Sequence, residues 1–288
     1  MATLHDRHIF AAFVLGLFFA SAAGVSARIG TPVASTPAIT ATMFRANPQH
    51  TGMQPGPGPE TDPNVVAELT IQSEQKGQPG PLSVVVIDGT VYASVGRDLA
   101  AFDTVTLEEQ WRFSTGADFT SYQAIPAVGN GVVYAGSADN AFALDTETGK
   151  EKWRAPLAPE IGGTGPTTVA DGTVYIPTTG SLVALDADDG SLLWTFPIED
   201  GVHAGAAVAD GLVYIGGYDE HFHAIDAATG EERWNYHAGD YINASVSVAD
   251  GVVYMASLDG VLSARDASSG DELWRFEEKT SSCHHRRW

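Results

Sequence analysis

A short pattern that recurs along the chain decides the fold. Residues 143–153 read Ala-Leu-Asp-Thr-Glu-Thr-Gly-Lys-Glu-Lys-Trp, and residues 224–234 read Ala-Ile-Asp-Ala-Ala-Thr-Gly-Glu-Glu-Arg-Trp. The Trp follows the Asp by eight residues, and a Gly-x-Val-Tyr motif precedes each Asp. Three residue types recur about every 40 residues at nearly constant distances from one another, which indicates a repeat architecture. The recurring positions are Tyr92, Tyr134, Tyr175, Tyr214 and Tyr254; Asp103, Asp145, Asp186, Asp226 and Asp266; and Trp111, Trp153, Trp194, Trp234 and Trp274.

Each repeat predicts four short strands. An Asp-Gly or Asn-Gly pair, such as Asp210-Gly211, suits a two-residue turn between the first and second strands. The third strand is apolar on both faces, as in Leu-Val-Ala-Leu at residues 182–185, which indicates a sheet buried between two others. A second turn, carrying a glycine such as Gly230, leads into the fourth strand, which holds the Trp.

Four-stranded antiparallel sheets that stack face to face are the blades of a β-propeller. We therefore predict an all-β propeller over residues 65–278, with five recognisable repeats. Residues 65–71, Val-Val-Ala-Glu-Leu-Thr-Ile, are expected to add a strand that could complete a blade and close the ring. Two alternatives stay open: a five-bladed ring with a natural tail, and a truncated or frameshifted copy of a longer propeller.

The segments outside the repeats predict export and a linker. Residues 1–27 combine Arg7, an apolar run and small residues before a cut after Ala27, which is typical of a signal peptide. We therefore expect a secreted or periplasmic protein with no membrane insertion after cleavage. Residues 28–64 are rich in proline and are predicted to be an extended linker. Residues 279–288 form a basic tail that fits no strand of the repeat.

The composition excludes several classes of partner and site. The 288 residues carry 15 Lys and Arg against 36 Asp and Glu, a formal charge of −21. Nucleic acids are therefore excluded as partners, because their binders neutralise phosphates with clustered Lys and Arg. Anionic lipid surfaces are disfavoured for the same reason. Cys283 is the one cysteine, so the chain can form neither an internal disulfide nor a cysteine-based zinc site.

The full pattern, Gly-x-Val-Tyr followed by Ala-x-Asp-x-x-[Thr/Ser/Asp]-Gly-x-x-x-Trp, resembles the PQQ-like or tryptophan-docking repeat. Quinoprotein dehydrogenases and the propeller of the bacterial assembly factor BamB are built from this repeat. The first repeat departs from the pattern, since Leu107 stands where the turn glycine is expected. The resemblance implies a structural role, docking between blades, for five side chains: Trp111, Trp153, Trp194, Trp234 and Trp274.

The function predicted from this reasoning is a non-catalytic scaffold that binds a protein or a small ligand. The alternative is a quinoprotein dehydrogenase, or a fragment of one, that uses PQQ with calcium; sharing the fold does not confer that chemistry. No catalytic residue and no metal ligand stand out from the repeats. His221 and His223 share one face of a strand and are predicted to be packed or exposed histidines rather than metal ligands. Residues 186–190 superficially resemble a calcium loop and are predicted to be a repeat turn.

Overall fold

The computed structural model describes residues 83–116, 125–157 and 165–277 in full, and the backbone of three short strands in the N-terminal segment. These residues form strands and no helix, which confirms the all-β prediction. Accordingly, no helix among them is long and apolar enough to cross a membrane. The three N-terminal strands are β1 (Val25–Ile29), β2 (Ala41–Thr42) and β3 (Ala67–Ile71).

The other twenty strands form five consecutive blades of four. Blade one contains β4 (Ser83–Ile87), β5 (Thr90–Val95), β6 (Asp98–Asp103) and β7 (Glu109–Ser114). Blade two contains β8 (Ala127–Gly129), β9 (Val132–Gly136), β10 (Asn140–Asp145) and β11 (Glu151–Pro156). Blade three contains β12 (Thr168–Ala170), β13 (Thr173–Pro177), β14 (Ser181–Asp186) and β15 (Leu192–Pro197). Blade four contains β16 (Ala207–Ala209), β17 (Leu212–Gly216), β18 (His221–Asp226) and β19 (Glu232–His237). Blade five contains β20 (Ser247–Ala249), β21 (Val252–Ala256), β22 (Val261–Asp266) and β23 (Glu272–Glu277).

Each blade is an antiparallel meander, because neighbouring strands in the sheet are also neighbours in the sequence. The first turn of each blade has the predicted conformation: in blade four, Asp210 has a φ of 51° and Gly211 a φ of 76°. Two positive φ values in succession define the type I′ turn, whose twist matches that of the flanking strands. In every blade, the pairing of the third and fourth strands shifts register just before the periodic Asp, as between Ala224 and Ile225.

The apolar cores lie between consecutive blades rather than within one. Tyr214 and Phe222 of blade four are fully buried, and they belong to one cluster with Val248 and Val253 of blade five. The third strands of blades one to four are buried on both faces, as in Ser181–Asp186, where the four middle residues are buried. This burial follows from stacking, since an isolated four-stranded sheet would expose both faces to water.

The N-terminal strands pair differently from the expectation. The predicted strand at residues 65–71 is present as β3, but β3 pairs with β1 in a separate two-stranded sheet and completes no blade. β1 spans Ala27, the predicted cleavage position, while residues 1–24 of the predicted signal peptide lie outside the described residues. β2 lies within the predicted linker and adds a fifth strand to blade two, beside β8. The basic tail, residues 279–288, also lies outside the described part of the chain.

The face of blade five that points away from blade four is uncovered. Trp274 is 46% exposed and Phe276 is 62% exposed on that face. The described blades therefore do not close into a five-bladed ring through this face.

Candidate functional site

Four of the five predicted docking tryptophans make the same contact with the next blade. The indole Nε1 of Trp153 donates a hydrogen bond to the carbonyl oxygen of Ala187, 2.9 Å away. The indole lies flat against Gly190, where an added Cβ would stand 2.6 Å from the ring. Because Gly190 also has a φ of 75°, this turn needs glycine for both space and conformation. The equivalent donors and acceptors are Trp111 with Thr146, Trp194 with Ala227, and Trp234 with Ala267, at 2.8, 3.0 and 3.1 Å.

The periodic aspartates hold the turns that receive these indoles. The Oδ1 of Asp145 accepts hydrogen bonds from the hydroxyl and the backbone N–H of Thr148, at 2.7 and 2.9 Å. Those two bonds lower the pKa of Asp145 below its ordinary value. Residues 186–190 adopt the same turn, with Asp186 accepting from the N–H of Asp188, which confirms that they are a repeat turn. The features that recur in each repeat are therefore used for folding, and function must be sought elsewhere.

Blade four carries a cluster of imidazoles and carboxylates at one end of its third strand. His221 and His223 lie on one face of β18, as predicted, with ring centroids 6.0 Å apart. His223 is buried, and its Nε2 lies 2.9 Å from Asp219 and its Nδ1 2.7 Å from Glu232. The ring also meets Phe196 of blade three edge-on, at a centroid distance of 5.1 Å. His223 is thus a packed side chain between two blades.

The imidazoles of this cluster have carboxylate partners. A carboxylate oxygen lies within hydrogen-bond distance of each ring nitrogen of His223. Partial burial raises the pKa of Glu232, but hydrogen bonds from His223 and Asn235 lower it more, so the pKa lies below its ordinary value. His237 is more exposed and lies 3.4 Å from Glu220 and 4.8 Å, between ring centroids, from His221.

The cluster does not form a metal centre. Both nitrogens of His223 already face carboxylates, so neither is directed toward an open position. Within residues 83–116, 125–157 and 165–277, no group of three or more His, Cys, Asp or Glu side chains is placed to hold a metal ion.

Next to this cluster, three aromatic rings form a row on the loop surface, which we name the aromatic row: His203, Tyr218 and Tyr241. His203 and Tyr218 have ring centroids 5.1 Å apart, and Tyr218 stacks on Tyr241 at 5.0 Å with 23° between the planes. Tyr241 is 41% exposed, and the other two rings are partly exposed. The row thus offers an aromatic surface to solvent.

The aromatic row rests on loops that are fixed by backbone hydrogen bonds. His203 comes from the connection between blades three and four, Tyr218 from the turn between β17 and β18, and Tyr241 from the connection between blades four and five. The N–H of Tyr218 donates to the carbonyl of Gly201, and the N–H of Leu258 donates to the carbonyl of Tyr241, both at 3.0 Å. The backbone at Tyr218 and the backbone at Tyr241 are therefore each bonded to a neighbouring loop.

Sequence reasoning missed the aromatic row and the carboxylate partners of His223. A signal for the row exists when the repeats are aligned with one another, since Tyr218 occupies the turn position held by Leu258 in blade five.

A cavity of about 660 Å³ lies between blades one and two, beside Tyr92 and Thr146. The Oγ1 of Thr146 already bonds the carbonyl of Gly131, and the carbonyl of Thr146 receives Trp111, so part of this lining serves the docking contact.

Comparison with known proteins places the chain among proteins with this blade geometry. No curated protein matches it. The chain is similar to the structure of BamB from Moraxella catarrhalis, with 19% identity and a TM-score of 0.52 over 68% of this chain and 75% of that one. It is also similar to quinohemoprotein alcohol dehydrogenase from Comamonas testosteroni, with 19% identity and a TM-score of 0.57 over 69% of this chain. A europium-containing methanol dehydrogenase gives 14% identity and a TM-score of 0.58 over 71% of this chain.

The chain spans 43% and 53% of the lengths of these two dehydrogenases. At such identities the structural matches show the fold alone. The sequence match is more specific, because one family model, described as outer membrane protein assembly factor BamB, matches residues 95–195 and 178–287. These stretches together cover more than half of the sequence, so the chain belongs to the BamB-like family of PQQ-like repeat propellers.

Proposed function

We propose that this protein is a secreted or periplasmic, non-catalytic scaffold that binds a polypeptide partner through the aromatic row. The observation that carries the proposal is the contact of His203, Tyr218 and Tyr241, which come from the two connections that flank blade four and from a turn within it. Aromatic rings supply large contact areas with few rotatable bonds, which is why they dominate the centres of protein interfaces. The BamB-like family and the predicted signal peptide support the scaffold role and the envelope location.

The surroundings of the row define the chemistry of the partner. Asp219, whose Oδ2 lies 2.9 Å from His223, follows Tyr218 in the sequence, and Asp240 accepts a hydrogen bond from the N–H of Tyr241 at 2.8 Å. These carboxylates lie on a chain with a formal charge of −21. Guanidinium groups stack on aromatic faces and pair with carboxylates, so the row suits an extended segment rich in arginine and in ring-bearing residues.

The loops make the surface ready for binding. Ile242, next to Tyr241, is almost fully buried, and its N–H bonds the carbonyl of Gly217 at 3.0 Å. Gly205 donates to the hydroxyl of Ser245 at 2.8 Å, which joins the two inter-blade connections directly. Because the loops are already ordered, binding loses little conformational entropy at them.

The experiment is a calorimetric titration of the full chain with an unstructured peptide of alternating arginine, proline and tyrosine. The control peptide replaces every arginine with glutamate. We expect binding of the arginine peptide only, weakened by salt, and a loss of about tenfold or more in the Tyr218→Ala variant, which lacks the central ring. Val105→Ala is the matched protein control, because Val105 is 76% exposed on blade one. Equal binding of both peptides, or unchanged binding by the Tyr218 variant, would refute the proposal.

The dehydrogenase alternative has less support from the described residues. PQQ enzymes of this fold use a metal ion with the quinone, and the donor set found here does not fit one, as the described residues hold no group of three candidate ligands. The scaffold proposal therefore includes no quinone step. Reduction of a redox dye by alcohols or sugars after addition of PQQ and Ca²⁺, abolished by chelation, would favour the enzyme and contradict the non-catalytic role.

A further inference from the structure

The turn between β17 and β18 of blade four carries a residue that its backbone geometry does not favour. Glu220 has a φ of 64°, in the left-handed region that long side chains rarely adopt. The equivalent residue of blade five is Gly260, with a φ of 84°. Among the described residues, the other positive φ values outside glycine belong to Leu107 and to Asp and Asn residues, whose short side chains tolerate this region. Glu220 therefore costs conformational energy that a glycine would avoid.

The same turn forms in blade five with the glycine. In blade four, the Oδ1 of Asp219 accepts a hydrogen bond from the N–H of His221 at 3.0 Å. In blade five, the Oδ1 of Asp259 accepts one from the N–H of Val261 at 3.1 Å. The glutamate side chain is therefore not needed to form the turn, and its presence in a strained position points to a use outside folding.

Glu220 carries the most exposed of the three carboxylates around the imidazoles of blade four. The Oδ2 of Asp219 lies 2.9 Å from His223, and this aspartate side chain is 15% exposed. The Oε1 of Glu232 lies 2.7 Å from the other nitrogen of His223, and this side chain is 32% exposed. The side chain of Glu220 is 42% exposed, and its contact with His237 is longer, at 3.4 Å. Because His237 is also largely exposed, water weakens this contact, and an incoming cation can reach the carboxylate of Glu220.

Glu220 stands at the same end of blade four as the aromatic row. Tyr218 of the row lies two residues before it on the same turn. The carbonyl of Glu220 accepts a hydrogen bond from the N–H of Ala238 at 2.8 Å. Ala238 belongs to the connection that continues to Tyr241, the outermost ring of the row. The backbone therefore fixes Glu220 relative to both tyrosines.

We propose that Glu220 is the specificity-determining residue of the aromatic row and that it binds the guanidinium group of an arginine in the partner. This inference rests on the proposed function of the row. A carboxylate accepts two parallel hydrogen bonds from a guanidinium group, whereas the ammonium group of lysine is a point charge. The row therefore selects arginine over lysine. Asp219, which is already bonded to His221 and faces His223, holds the turn and takes no part in this selection.

The test compares the arginine peptide with a peptide in which every arginine is lysine, by calorimetric titration of the full chain. We expect the parent chain to bind the arginine peptide about tenfold more tightly. This preference should disappear in Glu220→Gly and in Glu220→Gln. Glu108→Gln is the matched control, because Glu108 is exposed on a turn of blade one and its substitution removes the same charge; it should keep the preference.

Thermal unfolding separates a role in selection from a role in folding. Glu220→Gly should keep or exceed the Tm of the parent chain, since glycine adopts a φ of 64° without strain. A fall in the Tm of more than about 3 °C would show that the glutamate side chain stabilises the turn, and it would overturn the proposal.

The binding results also distinguish this inference from the proposed function. If Tyr218→Ala weakens binding while both Glu220 variants still prefer arginine, the row binds the peptide and the role of Glu220 is wrong. Equal binding of the arginine and lysine peptides by the parent chain would overturn the arginine selection alone. If the parent chain binds neither peptide, both proposals are wrong.

Discussion

Replacing Trp194 with alanine tests the docking geometry most directly. Trp194 is 8% exposed, its Nε1 donates to Ala227 at 3.0 Å, and its ring packs on Tyr175 at 5.8 Å and on Gly230. A buried tryptophan removes about 150–250 Å² from water, which corresponds to about 4–6 kcal/mol at about 25 cal/mol per Å². Alanine keeps part of that burial, while the substitution loses a hydrogen bond worth about 1 kcal/mol. We expect Trp194→Ala to lower the free energy of unfolding by about 3–5 kcal/mol.

The chain supplies its own control for this measurement. Trp274 occupies the same position in blade five but is 46% exposed, with no blade covering it in the described part of the chain. Trp274→Ala should therefore cost about 1 kcal/mol or less in the isolated protein. Urea unfolding of both variants, followed by far-ultraviolet circular dichroism, gives the two values. A loss below about 1 kcal/mol at Trp194, or equal losses at both positions, would show that docking does not stabilise the stack.

Three further predictions concern turns and titrating groups. Gly190→Ala should lower the free energy of unfolding by about 2–4 kcal/mol, because its Cβ would overlap Trp153. The control is Gly172→Ala, where φ is 78° and no atom lies within 4 Å of the added Cβ; it should cost only about 1 kcal/mol. Thermal unfolding of both variants measures the difference. The pKa of Glu232 is lower in the folded state than in the unfolded state. Its ionised carboxylate therefore stabilises the fold above the unfolded pKa of about 4.3, and this stabilisation is lost as the pH falls through the folded pKa. Glu232→Gln should therefore flatten the acid limb of a stability–pH curve, and an unchanged limb would contradict this. Burial raises the pKa of Tyr214 to about 12. The protonated phenol therefore contributes fully to the stability of the fold below about pH 10, and this contribution is lost as the pH rises through about 12. Tyr214→Phe should reduce the alkaline slope of stability, and a slope equal to that of the parent would refute the assignment.

The blades could be predicted from the sequence because their determinants are local and repeated. Asp210 and Gly211 specify a tight turn by their backbone preferences alone, and Gly230 marks the second turn. Five copies in one phase then identify the sheet faces that must be buried. Leu107, noted as a departure from the pattern, has a φ of 60° in the structure, close to the positive φ values of the glycines at this turn in the other blades.

The remaining features depend on distant residues and could not be read from periodicity. β3 was expected to join a blade, yet a five-residue strand carries too little pattern to specify its partner, and it pairs with β1. His221 and His223 were placed on one face, but the carboxylate partner at Glu232 comes from the adjacent strand. The aromatic row includes His203 and Tyr241, which lie on two different connections. These connections lie close together only because the blades stack, so the repeat pattern alone could not predict the contact.

The direction of the docking contacts has a consequence for protein synthesis. Each of the four docked indoles reaches forward to the following blade, as Trp153 reaches Ala187. Because the ribosome synthesises the blades in order, the tryptophan of the newest blade leaves the ribosome before the residues that will cover it have been translated. At about 5–20 residues per second, a repeat of about 40 residues leaves that apolar surface uncovered for about 2–8 s. Each newly made blade thus passes through an interval in which a chaperone can bind it, and translation speed sets the length of that interval.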